Sequence, residues 1–201
     1  MKLPIIITIL ISSTIGFTQT INRDSVKSNI MTTFFNHLDS IQVENPIEIS
    51  CISQAADHQA RHMNRNSILG HTQLLSHIGD TIIENSFNRV YHFCDTNYKG
   101  DGEICALSVF NDSLDLINHA GDTILAQFMS SLSHKKCLED YHEYYGISVI
   151  ITKSLSQYLL RTCIVYGTDP VLSYPQYPKY FTINKERVAN YRKMYSNTIV
   201  R

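Results

Sequence analysis

His58 and His62 stand four residues apart, which on a helix puts both imidazoles on one face. The run His58-Gln59-Ala60-Arg61-His62 resembles a zinc-protease helix but lacks the glutamate that would serve as general base. At about 100° per residue the pair falls roughly 120° from the centre of the Ile52-Ala56-Ala60-Met63 stripe, on the flank or surface of its helix. Five cysteines, Cys51, Cys94, Cys105, Cys137 and Cys163, contain no C-x-x-C, which argues against a zinc ribbon or a thioredoxin-like site. Ser131 and Ser133 lie close to His134, yet serines at a helix end are more simply caps than nucleophiles. The chain holds no G-x-S-x-G, no phosphate-cradling glycine loop and no basic-aromatic stripe for nucleic acid.

Composition narrows the class. With 201 residues, 43% apolar and 17% charged, the chain is of ordinary globular type and can build a core without a metal. Its formal net charge of −1 excludes the strong basic excess of nucleic-acid binders. Residues 1–19 read as a signal peptide: Lys2, a short apolar run from Leu3 to Ile11, then small residues up to Thr18-Gln19. That run is shorter than the roughly 20 apolar residues of a membrane span, and no later segment is long enough either. The expected location is therefore secreted or periplasmic, where disulfides persist. Five cysteines leave at least one thiol unpaired within the chain. Nearest neighbours suggest Cys94 with Cys105 and Cys137 with Cys163, although spacing does not fix connectivity.

The elements follow from periodicity. Asp24 and Ser25 can cap a helix over 24–43, carrying Val26, Ile30, Met31, Phe34, Phe35 and Leu38, and Asn45-Pro46 punctuates it. A second helix runs from about Glu48 to Arg65 with Ile52, Ala55, Ala56, Gln59, Ala60 and Met63 on one face. Residues 66–86 read as loop with short turns. Asn88 to Cys94 reads as a strand or extended connection, and 98–102 as a turn before the apolar run Ile104 to Phe110. Asn111-Asp112-Ser113 caps a helix beginning near Leu114, which Gly121-Asp122 interrupts or re-caps. Tyr145 to Thr152 and Gln157 to Tyr166 read as a hairpin with its turn at 153–156. The order predicts an α+β fold, with helices layered on an antiparallel sheet. From Thr168 to Arg201 a Tyr- and Pro-rich extension follows, with a short helix near 184–195.

Five segments resemble the CAP superfamily (cysteine-rich secretory, antigen 5 and pathogenesis-related proteins, or SCP-like), in its bacterial branch. Ala55-Ala56 through Met63, then Gly70-His71-Thr72, resembles the family's paired-alanine helix and its S-H-T turn. Gly102-Glu103-Ile104-Cys105-Ala106 is similar to the G-E-N-I-A strand. Phe128 to Leu138 is similar to W-M-x-S-P-G-H-R-x-x-L, Gly146-Ile147-Ser148-Val149 to G-V-G-V, and a last strand ends at Tyr166-Gly167. The likeness spans about 26–167 and implies a CAP-type three-layer α-β-α sandwich over 24–167. The chain departs from the pattern at Ile104 for Asn, Phe128 for Trp, Leu132 for Pro and Ser133 for Gly. It has Gln127, and no second glutamate, on the helix before His134.

The resemblance implies that His71, Glu103 and His134 face one cleft. Two imidazoles and a carboxylate can hold a divalent metal, zinc in particular, and leave a position open. Gaps of 32 and 31 residues mean that only the fold can gather them. The competing roles are hydrogen-bonded histidines that position loops and a glutamate that caps a helix or accepts backbone N–H bonds. The leading expectation is an extracytoplasmic binding module for a lipid-like small ligand or a divalent metal. Its rivals are a metal-dependent hydrolase or protease with Glu103 as catalytic base, and a structural protein-interaction domain.

Overall fold

The structure is a computed structural model that describes residues 21–169 apart from 74–75, 79–80 and 96. The expected signal peptide (1–19) lies outside the described residues, as does the expected extension beyond Asp169. Helix α1 (Arg23–Ser40) starts at Asn22, whose side chain accepts from the Asp24 N–H, and buries Val26, Ile30, Met31, Phe34 and Leu38. A two-residue strand β1 (Ile47–Glu48) leads into α2 (Ser50–Asn66). Helix α2 buries the six residues its periodicity marks and ends at Ser67 in the left-handed region. Two short strands, β2 (His77–Ile78) and β3 (Thr81–Ile82), pair antiparallel.

Three local readings need correction. Residues 86–94 form a helix, α3 (Ser86–Cys94), not a strand. Asn85 caps it by accepting from the Asn88 N–H, and Val90 and Cys94 are buried one turn apart. The turn expected at 98–102 lies inside β4 (Lys99–Phe110), where the register shifts between Gly100 and Gly102. Helix α4 (Ser113–Met129) runs unbroken through Gly121. That glycine serves packing: a Cβ there would lie 2.2 Å from Thr33 Oγ1 and 2.8 Å from the Asn29 carbonyl, so its absence lets α1 and α4 approach closely.

Helix α5 (Leu132–Glu139) and the hairpin β5 (Tyr144–Ser154) and β6 (Gln157–Thr168) complete the fold. The sheet order is β1-β5-β6-β4, antiparallel except where β1 runs parallel to β5. One face carries a core shared with α1, α4 and α5, including Phe34, Ile104, Phe128 and Leu138. The other packs α2 and α3 through Ile52, Ala56, Val90, Cys105, Cys163 and Val165. Alternation along β4 thus sends Ile104 and Ala106 one way and Cys105 the other. The result is the α+β sandwich of three layers. Among the described residues, no helix is long and apolar enough to cross a membrane.

The disulfide is Cys51–Cys94, joining the start of α2 to the end of α3. It overturns both nearest-neighbour pairings. Cys105 points into the α2/α3 core opposite Cys163, whereas Cys137 packs against the other core, so the sheet separates Cys137 from Cys163. Closing a loop over a separation of 43 residues, the bond restricts the unfolded chain. The double variant Cys51→Ala/Cys94→Ala is expected to lose about 3 kcal/mol in urea denaturation. An unchanged midpoint would mean that the bond contributes nothing.

Candidate functional site

Glu103 lies near the start of β4, two residues before Cys105, and its side chain is 3% exposed. A carboxylate buried that deeply requires a partner, and Arg89 on α3, fully buried, supplies it. One guanidinium nitrogen of Arg89 donates to Glu103 Oε2 and, at 3.3 Å, to the His71 carbonyl. The other donates to the carbonyls of Ile83 and Glu84 at 3.3 Å each. The planar fork of arginine therefore ties α3, its preceding loop, β4 and the His71 loop to one point.

That loop is held from a second side. Gln59 on α2 donates to the Gly70 carbonyl and accepts at 2.7 Å from Gln73, and both glutamines are fully buried. His71 follows directly after the clamped carbonyl. Its Nδ1 is 3.2 Å from Glu103 Oε1, and its Nε2 is 3.3 Å from His134 Nε2. His134 comes from α5, in the opposite helical layer, and its ring meets Phe128 edge-on at 5.4 Å. The two imidazoles meet beside β4, an edge strand of its sheet among the described residues.

The three residues form a line rather than a cage. Glu103 sits on one nitrogen of His71 and His134 on the other. Among the described residues, the donor atoms that lie within 4.8 Å of one another belong to His71, Glu103 and Cys105, and His134 is not in that group. Charge follows the line. The Cys105 thiol and then Glu103 hold the His71 imidazole up, to about 10, against the pull of burial. Burial and the neighbouring charge of His71 push His134 down. At neutral pH one proton therefore sits between the two Nε2 atoms, on His71, and His134 accepts it.

Other expected residues fall elsewhere. His58 Nδ1 accepts from Gln73 Nε2 at 3.1 Å, and His62 contacts Asn66; burial lowers both imidazoles. Gln127 donates to the Leu107 carbonyl at 3.3 Å. Ser131 holds the N-cap position of α5 without a side-chain capping bond, and its hydroxyl lies 3.2 Å from that of Ser133.

Arg89, Cys105, Cys163 and the Gln59–Gln73 clamp are not among the residues expected from sequence. The signal for Arg89 is a charged residue adjoining Val90 on the apolar stripe of a short helix. For the cysteines it is alternation from Glu103, which puts Cys105 on the same face.

No family model matches the chain, and no curated protein matches it. Among solved structures, it is similar to an outer surface protein from Borrelia burgdorferi. The TM-score is 0.53 at 10% identity, covering 74% of this chain and 96% of that one. An extracellular protein containing an SCP domain from Bacillus anthracis str. Ames also matches, at 12% identity and a TM-score of 0.42. That match covers 71% of this chain and 44% of the other, so the chain spans less than half of it. The likeness to the first of these is one of fold; in this chain the paired-alanine segment forms α2, Gly102-Glu103 lies in β4, His134 is carried by α5, and Gly146 and Tyr166-Gly167 lie on the closing hairpin.

Proposed function

We propose that the chain acts outside the cytoplasm as a CAP-type binding module whose cleft takes a divalent metal at the His71–His134 pair. The observation that carries this is the 3.3 Å between the two Nε2 atoms. Two nitrogens at about 2.0–2.1 Å from a tetrahedral zinc lie about 3.4 Å apart, so the pair has the bite of a zinc site. Glu103 then takes a supporting place. It receives the Nδ1–H of His71, which turns Nε2 toward the metal that would displace its proton, an arrangement common around metal-bound imidazoles. With Arg89 on one oxygen and His71 on the other, Glu103 is already engaged and makes a poor general base. This weighs against the hydrolase reading.

Two protein ligands leave coordination positions for a bound molecule. Leu69 and Leu132, 53% and 86% exposed, put apolar surface on the two segments that carry His71 and His134, a composition compatible with a lipid-like ligand. The extracytoplasmic reading draws support from the Cys51–Cys94 disulfide, the signal-like N-terminal sequence and the shared fold with an outer surface protein.

Calorimetric titration with zinc provides the test. Affinity is expected to fall at least about tenfold in His71→Ala and in His134→Ala, and about 10–100-fold in Glu103→Gln. Because the metal displaces the Nε2 proton of His71, wild-type affinity should rise by about tenfold per pH unit from 6 to 8, with a proton released. Binding that both histidine variants retain would refute the site.

A further inference from the structure

The geometry points to Cys105 and Cys163 as a dithiol that closes into a second disulfide beneath the cleft. The two residues lie directly opposite each other in the β4–β6 register, and their Sγ atoms are 3.6 Å apart. Directly opposed antiparallel residues have Cα separations of about 4.5–5.5 Å, within the range of about 4.4–6.8 Å that a disulfide spans. Closure is therefore within reach of side-chain rotation with at most a small approach of the two strands.

Access selects the oxidant. Cys105 is 2% exposed and Cys163 fully buried, but the Cys105 sulfur lies within 4.8 Å of a ring nitrogen of His71, whose side chain is nearly half exposed. Sulfurs this deeply covered select a small oxidant such as a peroxide over a bulky disulfide reagent. With hydrogen peroxide the step balances: two S–H bonds and the O–O bond break, and one S–S and two O–H bonds form. The sulfurs give up two electrons and two protons, and two waters leave.

The third thiol cannot compete. Cys137 packs on the other face of the sheet, where a Cβ added to Gly102 would come within 2.6 Å of its Sγ. Closure would bring the two sulfurs to about 2.05 Å and draw Cys163 away from Glu103 Oε2, now at 3.7 Å. Oxidation would thereby reach the carboxylate that orients His71. Nothing in the dithiol depends on a metal.

The experiment treats the full chain with hydrogen peroxide, then unfolds, alkylates and digests it for mass analysis. Free thiols should fall from three to one. The linked peptides should contain Cys105 and Cys163, and Cys137 should be alkylated. Protein isolated with that link already present supports the same conclusion. In Cys163→Ser, checked for native circular dichroism, Cys105 should gain oxygen and form no link. Three alkylated cysteines after peroxide, or a link that includes Cys137, would overturn the proposal; the wild-type result decides even if the variant does not fold.

Discussion

Arg89→Met is expected to lower stability by about 3–5 kcal/mol, because it leaves the Glu103 carboxylate buried without its cation. Both side chains lie almost wholly out of water, at 0% and 3% exposure, so solvent screens the pair little. The carbonyls of His71, Ile83 and Glu84 lose a donor in the same step. Part of the loss should return in Arg89→Met/Glu103→Leu, which removes the stranded charge along with its partner. Replacing a buried ion pair by apolar groups of similar volume is often close to neutral. Urea denaturation of the wild type and the two variants measures both effects. A single variant within about 1 kcal/mol of wild type would show that Glu103 is solvated or protonated, contrary to the geometry. The double variant also separates roles: it should recover stability without recovering zinc affinity, since His71 would still lack its orienting carboxylate.

Gly146→Ala is expected to cost about 4 kcal/mol or more, beyond the usual 1–3 kcal/mol of overpacking. An added Cβ would stand 2.1 Å from the Ser53 nitrogen, 2.2 Å from the Ile52 carbonyl carbon and 2.6 Å from its oxygen. These are backbone atoms of α2, so no rotamer change relieves the clash. The helix would have to lift off β5, and with it Gln59, which clamps the loop before His71. Gly70→Ala is the control. Nothing lies within 4 Å of a Cβ at that position, so its stability should stay within about 0.5 kcal/mol of wild type. Thermal melts of the two variants side by side would decide. Equal melting temperatures would mean that α2 and β5 are not in the described contact.

What could be read from sequence followed the strength of the local pattern. The buried face of helix α2 was legible to the residue and its ends to within two, because Ile52, Ala55, Ala56, Gln59, Ala60 and Met63 repeat at helical spacing over about three turns. The β5–β6 hairpin was legible because β-branched residues flank a short polar turn. Helix α3 was not. Nine residues rich in Val, Tyr and Phe favour a strand on propensity alone, and packing on α2 and β4 overrides that preference. Gly121 was misread because a glycine inside a helix looks like a stop until a second helix is known to lie against it. The disulfide was hidden for a related reason: nearness along the chain says little when alternation decides which side of a sheet a cysteine faces. At the site, the resemblance named His71, Glu103 and His134, but not their order. Which of the three stands in the middle is set by Arg89, whose partner lies 14 residues away across a turn and a change of element.

The position of the imidazole pair has a consequence for the margin of the sheet. Among the described residues β4 ends its sheet, and a margin left unpaired can recruit a strand from another molecule. Here the two rings lean together next to that margin from both helical layers, and the register shift at Gly100–Gly102 bends the strand close to where they meet. A strand arriving at that margin would have to displace the ring pair, so the candidate site and the guard against edge-to-edge pairing occupy one place.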